Sequence, residues 1–190
     1  MFSKFGDYSD KHWLMVMDMQ SRYVDHTSVG AEHVRKLILN ISKEVERCLC
    51  AWWRVLFVEY EEDGETIGAI CGYDRRYHEG VVILEKDHND LLQSSERHRK
   101  KAREEMRKIK QQEIFITAIW VNTPECVRRT ANSVNDFGIP VNVPVGLTLD
   151  LGRYHEVGNE IKTLSWMNWN EGVFYIPKWN EHKKNLVDFL

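Results

Sequence analysis

Residues 113–127 read EIFITAIWVNTPECV, and this stretch decides the fold. Glu113 to Val121 is an almost unbroken apolar run rich in β-branched and aromatic residues, the pattern of a strand buried on both faces in a parallel sheet. The chemistry then switches to that of a helix start. Thr123 suits the N-cap, Pro124 the first helical position and Glu125 the first turn. This places Cys126 near the third position of a helix predicted to run to about Phe137 and to close at Gly138.

The same alternation extends in both directions. Downstream, Ile139–Val145 is a predicted strand, a helix is centred on Glu156–Trp166, and Gly172–Pro177 (GVFYIP) is a further strand. Upstream, Trp13–Met19 (WLMVMDM) and Arg54–Tyr60 (RVLFVEY) are predicted strands flanking a helix over Val29–Trp53. Its apolar positions Val34, Leu37, Ile38, Ile41, Val45 and Leu49 recur at helical spacing. Glu61–Gly80 is polar and Gly-rich, and is predicted to be a long surface excursion. Val81–Leu84 is a short strand ending beside Lys86, and Leu91–Gln112 is a solvent-facing helix. Strands alternating with helices imply a three-layer α/β/α sandwich with a six-stranded parallel sheet, as one domain spanning residues 1–190. Such sheets bind ligands beyond the carboxyl ends of their strands, near the point where strand order reverses.

The totals narrow the function classes. The chain has 190 residues, 43% of them hydrophobic and 29% charged, with a formal net charge of −3. A mildly acidic balance gives no footprint for nucleic acid. The basic run RHRKKAR is flanked by Glu96, Glu104 and Glu105 and reads as a solvated helix face. No apolar run approaches the ~20 residues of a bilayer span. Asp7 and Asp10 precede the first hydrophobic stretch, so no signal peptide is expected and cytoplasmic residence is the default. Cys48, Cys50, Cys71 and Cys126 have neither paired CxxC spacing nor the density of a disulfide scaffold, and are expected to be free thiols. Cys48 and Cys50 lie in the helical pattern, where packing is their expected role.

Three reactive side chains fall at the carboxyl ends of predicted strands: Asp18, Lys86 and Cys126. Topology brings such ends to one edge of the sheet. A thiol in the first turn of a helix, beside a cation, is expected to ionise more readily than an ordinary one. Asp18 is suited to accept the thiol proton and return it to a leaving group, with Lys86 holding Asp18 ionised and favouring the thiolate. Each has a plainer reading: a turn carboxylate, a solvated lysine, a small buried cysteine. Their joint placement favours a catalytic centre.

With these residues in place the chain resembles the isochorismatase-like cysteine hydrolases across nearly its full length. WLMVMDMQSRYV is similar to that family's opening strand with Asp-x-Gln, here Asp18 and Gln20. VVILEKDHNDLL is similar to its lysine segment, mapping onto Lys86. The nucleophile region, Thr-x-x-Cys-Val followed by Thr-Ala, corresponds to Thr123, Cys126, Val127, Thr130 and Ala131. The resemblance implies a Rossmann-like topology, an Asp–Lys–Cys triad, an oxyanion hole from the backbone N–H groups of Asn122 and Cys126, and a cis peptide between Val121 and Asn122. It also implies assembly into homo-oligomers, dimers or tetramers, and seven tryptophans in a small domain point the same way. Departures occur at Trp120, where the family often has Gly, and at Arg22 and Tyr23. Nicotinamidase members bind zinc after the second strand. That region here holds only His78, so no metal and no other cofactor is expected. No GxGxxG or GxxxxGK[ST] motif is present. Retention of Cys126 points to cleavage of an amide or carbamoyl C–N bond in a small molecule through a thioester. Gln20, Tyr23 and Trp120 are candidate pocket residues, with Trp166 and Trp169 as further aromatic candidates. A non-catalytic binding or scaffold protein of the same fold is the alternative, and a thiol-redox protein lacks a neighbouring resolving cysteine.

Overall fold

A computed structural model describes residues 12–24, 31–112, 114–121, 126–144, 147–149 and 173–176. Within them the chain runs β1 (His12–Met17), α1 (Ser21–Val24), α2 (Ala31–Cys50), β2 (Arg54–Tyr60), α3 (Tyr73–Arg76), β3 (Val81–Lys86), α4 (Glu96–Gln111), β4 (Phe115–Val121), α5 (Arg128–Asp136), β5 (Val141–Pro144), β6 (Thr148–Leu149) and β7 (Val173–Ile176). The helix expected around Glu156–Trp166, together with Trp166 and Trp169, lies outside the described residues, as do Asn122 to Glu125.

The strands pair in the order β3-β2-β1-β4-β5-β7, with the two-residue β6 added beside β4. All these pairings are parallel. The expected six-stranded parallel sheet is therefore present, with one short extra strand. From β1 the chain first winds outward through β2 and β3, then returns to place β4 on the other side of β1. The reversal between β1 and β4 is the crevice where a doubly wound sheet accepts a ligand.

Period-two alternation explains the two-sided core. Trp13, Met15 and Met17 of β1, with Leu56 and Val58 of β2, face Ala102, Met106 and Ile109 of α4 and Ala131 and Val134 of α5. Leu14, Val16, Val55 and Phe57 face the opposite side, against Val34, Leu37, Ile41, Val45 and Cys48 of α2. Because both faces are covered, these strands read as continuous apolar runs. Gly138 closes α5 at φ +93°, a left-handed conformation suited to glycine, with its N–H bonded to Asn135 O at 2.8 Å. All four cysteines are free: Cys48, Cys71 and Cys126 buried, Cys50 exposed. Cys50 thus departs from its expected packing role. No helix among the described residues is long and apolar enough to cross a membrane.

The 61–80 excursion is the main correction. Thr66, Ile70 and Cys71 are buried, the last two within the α2-side core. The segment is pinned by the buried carboxylate of Glu59, which receives both Arg76 guanidinium nitrogens at 2.9 and 3.0 Å and the Thr66 N–H at 2.8 Å. A count of charges and glycines cannot reveal this, because the anchor is an ion pair closed across 17 residues. Lys86 is the last residue of β3, not a residue beyond it.

Phe57 is fully buried, whereas Leu39 on α2 is 53% exposed. Chemical denaturation should show Phe57→Ala losing about 3–5 kcal/mol, and Leu39→Ala changing stability by no more than about 0.5 kcal/mol.

Candidate active site

β1 ends at Met17, and the next residue turns sharply. Asp18 sits at φ +55°, a left-handed conformation that is strained for a residue with a side chain, and its N–H is held by Val58 O at 3.1 Å. Such strain concentrates at functional sites. The turn sends the Asp18 carboxylate into the crevice, where only 1% of the residue is exposed. Lys86, at the end of β3 and wholly buried, reaches across β2 to meet it. Its Nζ lies 3.0 Å from Oδ1 and Oδ2 alike and donates to Oδ2, while Oδ1 receives no well-aligned hydrogen bond. That oxygen is the one available to take a proton.

Cys126 completes the cluster from the other side of the reversal. It lies buried in a π-helical turn with Val127 that leads directly into α5. Its thiol is close enough to Asp18 and Lys86 to feel both charges. The three candidate catalytic residues, more than 100 positions apart at their extremes, are thus brought together at one edge of the sheet.

The electrostatics differ from expectation. Burial raises the Asp18 carboxyl, and the Lys86 ammonium only partly offsets this. The Cys126 thiol is pushed up to about 12 by burial and then by the Asp18 charge, with Lys86 acting weakly in the opposite direction. The expected helix-start activation of the thiol is therefore outweighed by desolvation. Burial thus raises the proton affinity of both the thiol and the carboxyl, against the easy ionisation expected of the thiol.

The remaining candidates sit nearby in different roles. Gln20 is fully buried and uses its amide on backbone: Nε2 donates to Tyr60 O at 2.8 Å and Gly64 O at 2.5 Å, and Oε1 accepts the Tyr60 N–H at 2.9 Å. It fixes the end of β2. The half-buried Tyr23 donates its hydroxyl to Asp63 Oδ2 at 2.6 Å, and Arg22 binds Asp63 Oδ1 at 2.5 Å. Burial alone would raise Asp63, but the hydrogen bonds from Tyr23 and Arg22 hold its carboxyl below the usual range. Trp120 is paired through its backbone with Met17 and Thr148, and its side chain lies outside the described residues. The Val121–Asn122 peptide and the Asn122 N–H also lie outside them.

Sequence reasoning missed Tyr60, Asp63 and Asn89. The Tyr60 ring covers the Lys86 ammonium at 4.5 Å, a cation–π contact, and its hydroxyl donates to Asn89 Oδ1 at 2.5 Å. Tyr60 ends β2, so the strand-end rule that selected Asp18 and Lys86 could have selected it too. Among the described residues no group of three His, Cys, Asp or Glu side chains is arranged to hold a metal ion. A depression of about 200 Å³ on the exposed side of α4, lined by Glu96, Arg99, Lys100, Arg103 and Arg107, contains none of the candidate residues.

No protein-family model matches the chain, and no curated protein sequence matches it. Solved structures do. A nicotinamidase from Bacillus subtilis aligns with TM-score 0.66 at 14% identity, covering 88% of this chain and 99% of its own. An isochorismatase from Pseudomonas putida aligns with TM-score 0.66 at 11% identity, covering 91% of each chain. A ribonuclease from Caenorhabditis elegans aligns with TM-score 0.62 at 12% identity, covering 95% of this chain and 91% of its own. At these identities the likeness establishes the fold, which is isochorismatase-like.

Two measurements test the electrostatics. Removing Lys86 (Lys86→Ala) leaves a buried carboxylate without its partner and should cost about 3–5 kcal/mol in chemical denaturation. An unfolded thiol releases its proton near the ordinary 9.0, whereas folded Cys126 keeps it to about 12. Between those values the native state binds the extra proton, so stability falls as pH rises through the window. Denaturation across pH 9–11 should show a shallower decline in Cys126→Ala, by up to about 1.4 kcal/mol per pH unit.

Proposed function

We propose that this chain is a cysteine hydrolase that cleaves the C–N bond of a small amide or carbamoyl compound through a thioester on Cys126. What supports this reading is the buried Asp18–Lys86 pair at the β1–β4 reversal, with the buried Cys126 thiol close enough to feel both charges. The fold alone does not choose a substrate, since it is shared with a nicotinamidase and a ribonuclease. The choice rests on a thiol paired with a carboxylate.

In the proposed sequence Asp18 takes the thiol proton as sulfur attacks the substrate carbonyl carbon. Charge moves from carboxylate to sulfur within a site whose ammonium, Lys86, stays in place. The carbonyl oxygen becomes an oxyanion, for which backbone N–H groups of Asn122 and Cys126 are the proposed donors. Asp18 then protonates the leaving nitrogen, the C–N bond breaks, and a thioester remains. Water attacks it with Asp18 again accepting a proton. The acid is released and the thiol reforms. The raised proton affinity of Asp18 suits both halves, since it must capture a proton and then give it up. A pocket bounded by Tyr23 and Trp120, cytoplasmic residence, a small-molecule substrate without nucleic acid, membrane or cofactor, and assembly into dimers or tetramers belong to the same proposal. Exposed Trp52, Tyr73 and Tyr77 offer apolar surface for such assembly.

The non-catalytic binding reading is favoured by one observation, the 3% exposure of Cys126. One experiment separates the two. A panel of small primary amides and carbamoyl compounds is incubated with the protein, ammonia release is followed, and acid-quenched samples are weighed by mass spectrometry. Hydrolysis with an acyl adduct on Cys126 is expected, lost in Cys126→Ala and reduced about 10²–10⁴-fold in Asp18→Asn. Release that persists in Cys126→Ala would sink the thioester mechanism, and no release with any compound would favour the binding protein.

A further inference from the structure

We propose that Asn89, held by the Tyr60 hydroxyl, is a positioning residue that sets the resting orientation of the Cys126 thiol. The inference rests on the reading of Cys126 as nucleophile and adds a part to that site.

The Asn89 carbonyl oxygen is a shared acceptor. It receives the Tyr60 hydroxyl at 2.5 Å and lies 3.5 Å from Cys126 Sγ in donor geometry. An amide oxygen has two lone pairs, so these two donors fill it. Asn89 is itself held rigidly. Thr130 Oγ1 of α5 donates to Asn89 O at 3.4 Å and accepts the Leu91 N–H at 3.2 Å. Next to it, Asp90 Oδ1 takes the Ser133 hydroxyl at 2.6 Å and the Leu92 N–H at 2.9 Å. The helix that carries the thiol therefore also grips the loop that carries its acceptor, so the distance between them is set within one unit. Tyr60 is fixed just as firmly, since Gln20 binds both its backbone N–H and C=O.

Two acceptors of different kinds thus surround one S–H. The Asp18 carboxylate can remove the proton; the neutral Asn89 amide can only hold it. Bonded to Asn89, the thiol is kept neutral, and Asp18 is the neighbouring group that can take its proton. Among the described residues the titratable groups around the sulfur are Asp18 after β1, Tyr60 on β2 and Lys86 on β3. The Tyr60 hydroxyl donates to Asn89 and also acts on the sulfur directly.

A hydrogen bond to the neutral form opposes ionisation, which makes the sign of each substitution predictable. The thiolate ultraviolet absorbance of Cys126 is titrated in the full-length protein, each variant against its own Cys126→Ala counterpart so that tyrosine ionisation cancels. Asn89→Ala should lower the midpoint by about one pH unit, and Asn89→Asp, which adds a carboxylate beside sulfur, should raise it by about as much. Tyr60→Phe keeps the ring over Lys86 and should shift the midpoint in the direction of Asn89→Ala, but by less. The double variant should shift by less than the sum of the two single variants, the result required if Tyr60 acts in part through Asn89. Any carboxylate beside sulfur raises the midpoint, so Asn89→Asp reports proximity and the fall in Asn89→Ala reports the lost hydrogen bond. An unmoved midpoint in Asn89→Ala, or a Tyr60→Phe shift that adds in full to it, overturns the proposal. Asp18→Asn, titrated alongside, keeps the two levels apart: a midpoint insensitive to Asp18→Asn removes the hydrolase reading, whereas one that responds to Asp18→Asn and not to Asn89→Ala removes only this positioning role.

Discussion

The buried ion pair between Lys86 and Asp18 is the constraint around which the rest of the site is arranged. Both residues are almost fully shielded from water, with Nζ 3.0 Å from the carboxylate. Removing two charges from water costs several kcal/mol per ion, and mutual attraction offsets this only when geometry and neighbours are good. The neighbours supply what is needed. Tyr60 lays its ring on the ammonium, and Gln20 holds Tyr60 by the backbone. The Val58 carbonyl accepts the N–H of Asp18 in its left-handed turn. The pair is nevertheless under-solvated, and Asp18 carries the consequence as a raised proton affinity. The thiol beside it is likewise kept protonated by burial.

Asp18, Gln20, Glu59 and Lys86 are buried together at the carboxyl edge of the sheet, in front of an apolar core. Leu14, Val16, Leu56, Phe57 and Val58 are fully buried, so β1 and β2 form a stiff floor. Charges deeper in the sheet would meet only aliphatic side chains. At the edge, strands end and backbone groups become available as partners. A second, partly buried pair, Glu59–Arg76, lies at the same edge and ties down the 61–76 segment, which presents Asp63 to Tyr23 and Arg22. One anchoring pair holds Asp18, and the other holds the loop beside it.

Much of the architecture was legible in the sequence, because burial of a strand on both faces writes itself as an unbroken apolar run and a half-buried helix as a 3.6-residue repeat. WLMVMDM, RVLFVEY and EIFITAIWV became β1, β2 and β4 within a few residues of their expected limits. From that order alone, Asp18, Lys86 and Cys126 were placed at strand ends on one edge. These are local patterns combined with a rule of chain winding, and both act along the sequence.

What only tertiary structure decided were quantities that depend on distance between remote residues. The thiol illustrates this: its helix-start position suggested easy ionisation, yet burial and the Asp18 charge hold its proton. Gln20 was a candidate for the pocket and instead clamps the backbone of Tyr60, 40 residues away. The excursion after β2 looked like surface by composition and is drawn into the core by Glu59 and Arg76. Asn89 carried no signal, because its importance lies in meeting Tyr60 and Cys126, 29 and 37 positions distant. Propensity and periodicity are short-range properties of the chain, and they determined the elements and their order. Desolvation and hydrogen-bond partnership fall off within a few ångströms of space, so they were settled only when the sheet closed.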